Sequence, residues 1–506
     1  MNIYISGASG FVGKALCSEL SGRGHQVVPL VRRLSAFNNA VFVSDLGDSL
    51  SVEDAIQGCD VFIHLAARVH QMREDPRGAK EQYQLVNREL TLLLAKAALK
   101  AGAQHFIFMS SVKVAGEMSR LSCALVEGSS PRPEDPYAQS KWDAEQDLME
   151  FAASSGMSVT ILRPPLIYGP GVKANFLSLM SWLSNSLPTP FKLIKNKRSF
   201  LYTANLTSAI ARCIELGPRR SGIYFLSDGE DLSSYQLGSK LCKSLNCFYF
   251  SLPVPEFLLK LVGRCLGKTP QVNRLLSSLQ VSNELFCRDF DWTPPYSVDE
   301  GLKDTATWFR GERSIQRMNH FKRVVDVMIC IFALCALCVP LVLIGLIVKL
   351  TSKGPVLYWS DRVGAHNQIF SMPKFRSMRV GTPVVATHLL ESPDAHLTPV
   401  GGLLRRSSLD ELPQLLCILR GTMSWVGPRP ALYNQYDLIS LRTQTGVDRL
   451  VPGITGWAQI NGRDELEIAE KVQYDLEYLV KRSFLFDMKI LWLTFFKVLF
   501  HKNIAH

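Results

Sequence analysis

The sequence lacks a disulfide framework. Its 12 cysteines show no regular pairing pattern, and several lie in apolar runs. Only Cys335 and Cys338 stand in C-x-x-C spacing, inside a lipid-like stretch with no histidine or second pair nearby. Structural zinc and dithiol redox chemistry are not expected there, and free thiols suit a reducing compartment. The opening MNIYISGASG has no charged segment followed by an apolar run, so no signal peptide is expected. There is no internal repeat and no low-complexity tract. No nucleic-acid module accompanies the basic residues, so DNA and RNA are not expected partners.

What is present is length, apolarity and a modest excess of positive charge. A chain of 506 residues is too long for one ordinary core, and roughly two to four domains are expected. An apolar fraction of 47% fits a globular protein with some membrane contact. The net charge of +11 leaves an anionic membrane face and phosphorylated substrates as partners.

The segment MNIYISGASGFVGKALCSELSGRGHQVVPLVRR reads as strand, glycine-rich turn, amphipathic helix and second strand. Gly7, Gly10 and Gly13 allow a tight turn and close approach of a pyrophosphate, which then sits on the helix N-terminus. At the end of the second strand an acidic residue would hold a ribose 2′-hydroxyl. Arg32 and Arg33 stand there instead and suit a 2′-phosphate, which favours NADP over NAD; two solvated surface arginines are the plainer alternative. Asp45 in VFVSDLGD is placed to meet the adenine. Further on, PYAQSKWDAE puts Tyr137 and Lys141 one helical turn apart, which is either an exposed helix face or an acid–base pair. A nearby ammonium favours the phenolate and brings the tyrosine toward a useful range, and Ser111 in HFIFMSSVKVAG could hydrogen-bond the reacting oxygen.

With GASGFVG, these three residues and the downstream LRPPLIYGPG, residues 1 to about 310 resemble the extended short-chain dehydrogenase/reductases, the nucleotide-sugar epimerases, dehydratases and 4-reductases. The resemblance implies a Rossmann-type, doubly wound parallel α/β sheet with a small substrate subdomain. It implies catalytic roles for Ser111, Tyr137 and Lys141, with Lys141 also touching the cofactor. It places Asn87 beside the active site as a substrate contact, Arg163 and Pro164 in the loop after the sixth strand, and Arg198 on the nucleotide-sugar diphosphate, with Asn175 as a further substrate contact. SVDEGLKDTATWF resembles the family's closing helix. Two departures are Ala115, where the family often has Tyr, and Asn205, where it usually has Asp. The segment HLAARVH resembles the subgroup that reduces UDP-linked 4-keto-6-deoxy-N-acetylhexosamines. A 4-epimerase uses the same parts, and a nucleotide-sugar sensor or scaffold is a second alternative, against which the intact catalytic set argues.

Residues 311–319 read as a short charged connector. Residues 324–348 would make a helix of about 37 Å at ~1.5 Å per residue, enough to span a bilayer. Pro340 divides this run into stretches too short to cross alone. Lys322 and Arg323 precede it, and Lys349 and Lys353 follow it. A re-entrant hairpin over residues 320–350 is therefore expected. Beyond it, Asp410 and Glu411 lie beside Arg405 and Arg406, and GPRP fixes Arg429 in a rigid loop. Adjacent acids before a leucine run are a common helix start. A carboxylate pair among arginines also suits metal-assisted phosphoryl transfer.

KFRSM, RRSSLDELPQL, GTMSWVGPRP and VPGITGWAQINGR follow in order, and from about residue 320 onward the chain resembles the bacterial sugar transferases, the monotopic phosphoglycosyl transferases. That resemblance implies a mixed α/β catalytic domain over residues 351–506, with Asp410 as nucleophile and Mg²⁺ contact, Glu411 as its partner, and Arg429 on phosphate. Its substrates would be a UDP-sugar and polyprenyl (undecaprenyl) phosphate, with Mg²⁺ on the diphosphate. The departures are Val339 before Pro340, where the family usually has Ser, and Asp361, where it often has Glu. NADP and UDP-sugars are cytoplasmic, so both catalytic regions should face the cytoplasm, held monotopically at a bacterial inner membrane in contact with lipid; a homodimer is a further candidate assembly. FLFDMKILWLTFFKVLFHK, with Lys489 and Lys497 on one side, is expected to make partial membrane-surface contact.

Overall fold

A computed structural model describes residues 1–31, 40–42, 53–68, 76–120, 123–218, 221–379, 382, 396–462 and 466–500. The chain forms two compact units, Met1–Arg313 and Ser314–His506.

The first unit is built on a seven-stranded parallel sheet. Its strands are β1 (Asn2–Ser6), β2 (Gln26–Val31), β3 (Val41–Phe42), β4 (Val61–His64), β5 (His105–Met109), β6 (Ser158–Arg163) and, beyond the short β7 (Leu166–Tyr168) and β8 (Phe200–Tyr202), β9 (Gly222–Phe225). The spatial order is β3-β2-β1-β4-β5-β6-β9. Every residue of β4, β5 and β6 is buried, as expected of strands covered on both faces. Alternation divides their side chains between two cores. Ile3, Ile5, Ile63 and Leu162 pack with Leu16 and Leu20 of α1 (Phe11–Gly22), while Tyr4, Phe62, Phe106 and Ile161 pack with Leu148 of α2 (Pro136–Ser155). The chain order reverses between β1 and β4, so the crevice at their carboxyl ends is where such a sheet takes a dinucleotide.

The substrate subdomain gathers around Tyr168, Phe176, Leu241 and Leu302, with β7 and β8 paired in parallel. Its outlying part is a helical hairpin, α3 (Glu256–Cys265) and α4 (Thr269–Leu276). Asn205 explains its own departure from the family. It is fully buried and donates to an Asp228 carboxylate oxygen at 2.7 Å and to the Tyr296 carbonyl at 2.8 Å. An aspartate there would bury a second negative charge against Asp228.

One helix, α5, runs from Val298 to Thr351. The connector 311–319 is thus helical, and helical geometry continues through Pro340 with no intervening turn, in place of two short helices. Pro340 removes one donor, a loss that a helix tolerates with a local bend. This helix is long and apolar enough to cross a membrane. It has two stripes. Cys330, Ala333, Leu334 and Leu337 pack against Met372, Leu415 and Ile418, and beyond Pro340 Leu341, Ile344 and Val348 pack against Phe375 and Leu404. Met328, Ile331, Phe332, Val339, Val342, Leu343, Leu346 and Leu350 face outward, recurring every three to four residues. The second unit thus holds the run on both sides of the proline.

That unit is mixed α/β. An antiparallel sheet in the order β11-β10-β13 joins β10 (Leu357–Val363), β11 (Ile369–Phe375) and β13 (Ala431–Leu432); β12 (Ser424–Val426) pairs in parallel with β14 (Gly453–Thr455). The last described helix, α6, covers Phe484–Phe500. Side chains secure both ends of the apolar run. The Lys322 ammonium meets Asp487 at 2.6 Å, and Arg323 donates to the carbonyls of Ile418 and Leu419 at the end of the helix Leu415–Arg420. At the far end Arg376 donates to the Lys353 and Ser352 carbonyls at 2.9 and 3.0 Å.

The most deeply buried charge pair of the first unit is Arg163 with Glu145, which also accepts from the Ser110 hydroxyl. Glu145→Ala would strand the guanidinium of Arg163 in the core and lower the stability of this unit by about 3–5 kcal/mol. Urea unfolding followed by near-ultraviolet circular dichroism should show it.

Candidate active sites

In the first unit the glycine turn is a backbone cradle. Gly7 has φ +77°, and a Cβ on it would stand 2.6 Å from the Ala66 nitrogen at the end of β4. A Cβ on Gly13 would stand 2.3 Å from the Gly7 carbonyl oxygen. Gly10 caps α1 and donates to that same carbonyl at 3.0 Å. The turn folds back on itself only because these side chains are missing, and it leaves the amino end of α1 open to an anion. Arg32, Arg33 and Asp45 lie outside the described residues.

Asp135 and Pro136 start α2: the Asp135 carboxylate accepts from the Ala138 amide at 2.7 Å, and Pro136 occupies the first turn. This start sets Tyr137 over the end of β5. Ser111 hydrogen-bonds the Tyr137 phenol, and burial together with the Asp135 charge pushes that phenol up to about 12. The sequence reading placed the Lys141 ammonium against this phenol. Instead it donates to the Met109 carbonyl at 2.8 Å and lies 4.4 Å from the centre of the Phe108 ring. Burial pushes Lys141 down to about 7, against the opposing pull of Glu145 one turn further along.

Asn87 departs from its expected role as a substrate contact. It is fully buried. Its side chain accepts from the Arg68 amide at 2.8 Å and donates to the Ser140 hydroxyl at 3.0 Å, so it fixes the catalytic helix rather than lining the groove. Arg198 donates to the carbonyls of Arg274 and Ser277 at 2.8 and 3.1 Å. Burial, and the neighbouring Arg274 charge, lower its pKa. Asn175 is exposed on the helix Ala174–Ser184.

Sequence reasoning missed a charged chain beside Tyr137. Lys113 contacts Asp135 at 2.6 Å and Glu117 at 3.0 Å, and Glu117 takes Arg274 in two parallel bonds of 2.7 Å. Arg274 comes from QVNRLLSSLQ, far away in sequence, and only the fold brings it to Arg198.

In the second unit a turn in the left-handed region at Ser408 (φ +56°) opens a short 3₁₀ helix, Leu409–Gln414, that carries both acids. Asp410 is buried, and desolvation raises its pKa against the pull of Lys374 and Arg405. Glu411 accepts from the Lys374 ammonium at 2.7 Å and from the Arg429 guanidinium at 3.5 Å. The GPRP loop that carries Arg429 is braced by Arg442, which donates to the Arg429 carbonyl at 2.8 Å and pairs with buried Asp475 at 2.6 Å. The glycines of VPGITG now have a reason. Cβ atoms on Gly453 and Gly456 would stand 2.1 Å from the Gly427 nitrogen and 2.2 Å from the Gly427 oxygen, so this loop touches the GPRP loop backbone to backbone.

The cavity around the acids is lined by Lys374, Arg405, Ser408, Arg429, Gln459, Thr494 and Lys497. Lys497 stands on α6, where the sequence reading had it facing the membrane surface; it donates to the Ile460 carbonyl instead. Lys489 lies over the Trp457 ring, and Trp492 and Phe495 take the exposed side. Among the described residues no group of three metal-ligating side chains stands together. A divalent ion that keeps water and binds through one carboxylate and substrate phosphates fits Asp410 with this cationic surround.

Comparison with known proteins gives two families. The model of the NAD dependent epimerase/dehydratase family matches residues 3–224, and that of the bacterial sugar transferases matches residues 317–501. A UDP-glucose 4-epimerase of Vibrio cholerae is 36% identical over 312 residues, covering 61% of this chain and 95% of that protein. The UDP-glucose:undecaprenyl-phosphate glucose-1-phosphate transferase of Escherichia coli is 42% identical over 184 residues; the match covers 35% of this chain and spans only 39% of that relative's length. Among solved structures, the dTDP-glucose 4,6-dehydratase DesIV of Streptomyces venezuelae, with NAD and TYD bound, superposes with a TM-score of 0.50 at 22% identity, over 62% of this chain and 98% of that one, a likeness of fold.

The buried Lys141 yields a pH prediction. Its folded pKa lies below that of a free lysine, so between about 7 and 10.5 the unfolded chain binds the extra proton. Stability should rise with pH through that window, by up to about 1.4 kcal/mol per unit, and Lys141→Met should remove the rise. Urea midpoints across pH check it.

Proposed function

The chain belongs to the NAD dependent epimerase/dehydratase family in its first unit and to the bacterial sugar transferases in its second, and we propose that it finishes a UDP-sugar at C4 and then loads the phosphosugar onto polyprenyl phosphate. The observation that carries this reading is the co-occurrence, in one chain, of the Ser111–Tyr137–Lys141 set and the buried Asp410 with Glu411, Lys374 and Arg429.

At the first site a nicotinamide dinucleotide would lie on the Gly7–Gly10–Gly13 cradle and supply hydride transfer. Arg32 and Arg33 favour NADP. Arg198 would meet the diphosphate, with the Arg274 charge close enough to act on it. Tyr137 stands protonated at neutral pH, which is the form that delivers a proton to a C4 oxygen during ketone reduction, with Ser111 holding the same oxygen. The substrate class that fits is a UDP-4-keto-6-deoxy-N-acetylhexosamine. A UDP-sugar 4-epimerase is the second reading, favoured by the Vibrio cholerae relative.

At the second site Asp410 attacks the β-phosphorus. A carboxylate–phosphorus bond forms, the bond to the bridging oxygen breaks, and UMP leaves. The phosphate oxygen of polyprenyl phosphate then takes the phosphosugar and frees Asp410. Burial makes Asp410 more basic, and beside it Glu411 pairs with the Lys374 and Arg429 cations. Mg²⁺, held by Asp410 and the phosphates, would neutralise diphosphate charge. The reading places the chain monotopically on the cytoplasmic face of the inner membrane. The packing of the apolar run against one unit on both sides of Pro340 supports it, since a straight crossing would carry one end away from that unit.

The test is a single incubation of the purified chain with the UDP-4-keto sugar, hydride-labelled NADPH, Mg²⁺ and polyprenyl phosphate. Label in the lipid-linked sugar marks reduction; in a parallel incubation with a UDP-4-hydroxy sugar, conversion into its C4 epimer with no label taken up marks the second reading. Tyr137→Phe should slow C4 chemistry by at least about 10²-fold and leave transfer of a finished UDP-sugar intact. Asp410→Asn should do the reverse, and lipid product from that variant would sink the transferase assignment. Lys374→Ala should lower transfer by roughly 10²–10³-fold without touching C4 chemistry.

A further inference from the structure

The hairpin of α3 and α4 is built inside out. A surface helix ordinarily turns its apolar stripe inward. In α3 the inward side is Leu259 and Gly263, and a Cβ on Gly263 would stand 2.7 Å from the Val272 side chain of α4. The outward side is apolar. Phe257 is 72% exposed, Leu261 54% and Leu266 66%, with Leu258, Val262 and Cys265 exposed between them. At about 100° per residue these six cover roughly half the helix circumference. Lys260, Arg264 and Lys268 form a row along one border of that face, all exposed, with Glu256 as the one acid on the helix. The segment leading into the helix exposes Phe248, Phe250 and Leu252 as well.

We propose that this face of the first unit docks on the anionic surface of a lipid bilayer, with the α3 side chains in the acyl boundary and the basic row on lipid phosphates. An outward apolar arc bordered by Lys and Arg is the pattern of an interfacial helix. The basic border gives the face the sign that complements anionic lipid phosphates. The inference rests on the membrane-bound reading of the chain, because a face of this size binds usefully only where the same chain already lies at a bilayer.

The full chain tests it, with Cys123, Cys335 and Cys338 replaced by Ser and an environment-sensitive fluorophore on exposed Cys265. The protein is bound to phosphatidylethanolamine vesicles with or without phosphatidylglycerol, and co-sedimentation is measured first. Failure to co-sediment would sink the membrane-bound reading itself. In sedimented protein the probe should shift to the blue and be quenched by bromine on the lipid acyl chains, more strongly with phosphatidylglycerol. Lys260→Glu with Arg264→Glu should reduce the quenched fraction by at least about five-fold, with C4 activity on soluble substrate unchanged. A water-like emission at Cys265, equal to that of a probe on exposed Cys123 in a companion protein that keeps Cys123 and carries Cys265→Ser, would overturn the proposal. A blue shift that follows protein concentration and ignores the lipid quencher would overturn it too, in favour of a second copy of the chain.

Discussion

The apolar run of the long helix has two stripes, and among the described residues the second unit covers one of them. Cys330, Leu334, Leu337, Ile344 and Val348 are taken up by the second unit, whereas Phe332, Val339, Val342, Leu346 and Leu350 are left outward. Leaving so much apolar surface in water is costly, at about 25 cal/mol per Å². In the proposed membrane-bound reading lipid would remove that cost, and the position of the acids relative to the helix can be followed along one strand. β11 supplies Phe370 and Met372 to the helix before Pro340 and Phe375 after it, and between them sits Lys374, which grips Glu411. The lysine that pairs with Glu411 therefore belongs to the strand that also holds the long apolar helix. A lipid phosphate would meet Asp410 without that strand leaving the helix.

Both sites tune ionisation by burial first and by charge second. Lys141 is desolvated and partly restored by Glu145; Asp410 is desolvated and partly restored by Lys374 and Arg405. In each case a second ion pair, fully formed and buried, fixes the supporting backbone: Arg163–Glu145 beneath Lys141, and Arg442–Asp475 behind the Arg429 loop. Buried pairs of this kind contribute little net stability, yet breaking one is costly. Their value here is positional, since each holds the strand end or loop that presents a reacting group.

Residues whose roles are local were legible in the sequence. The glycine turn and the adjacent acids are short-range patterns and fold as a tight turn and one 3₁₀ helix, whereas the one-turn spacing of Tyr137 and Lys141 puts both on one helix and still sends the ammonium to the Met109 carbonyl. The sequence misled where a role depends on a distant partner. Asn87 looked like a groove residue and is a buried clamp on Ser140 and Arg68. Lys497 looked like a charge at a membrane surface and lines the transferase cavity, because α6 packs Asp487 and Ile490 inward and so turns Thr494 and Lys497 with them. Arg274 gave no local signal at all, and Lys374, although it opens the KFRSM motif, gave no sign of the carboxylate it grips. A lone basic residue on a strand or short helix is ordinary until the fold sets a carboxylate opposite it.

The same limit governs helices. Periodicity reveals that α3 has an apolar face, but it carries no sign: a pattern of 3.6 residues reads the same whether the face looks into the core or away from it. What fixes the sign is the partner on the other side, and for α3 that partner is Val272 against Gly263. Glycine allows α4 to approach the narrow polar-side edge of α3, which leaves the aliphatic face outside. The cue in the sequence was therefore the glycine at position 263 within an otherwise favourable helix, a residue that costs about 1 kcal/mol relative to alanine and is tolerated where another backbone element must come close.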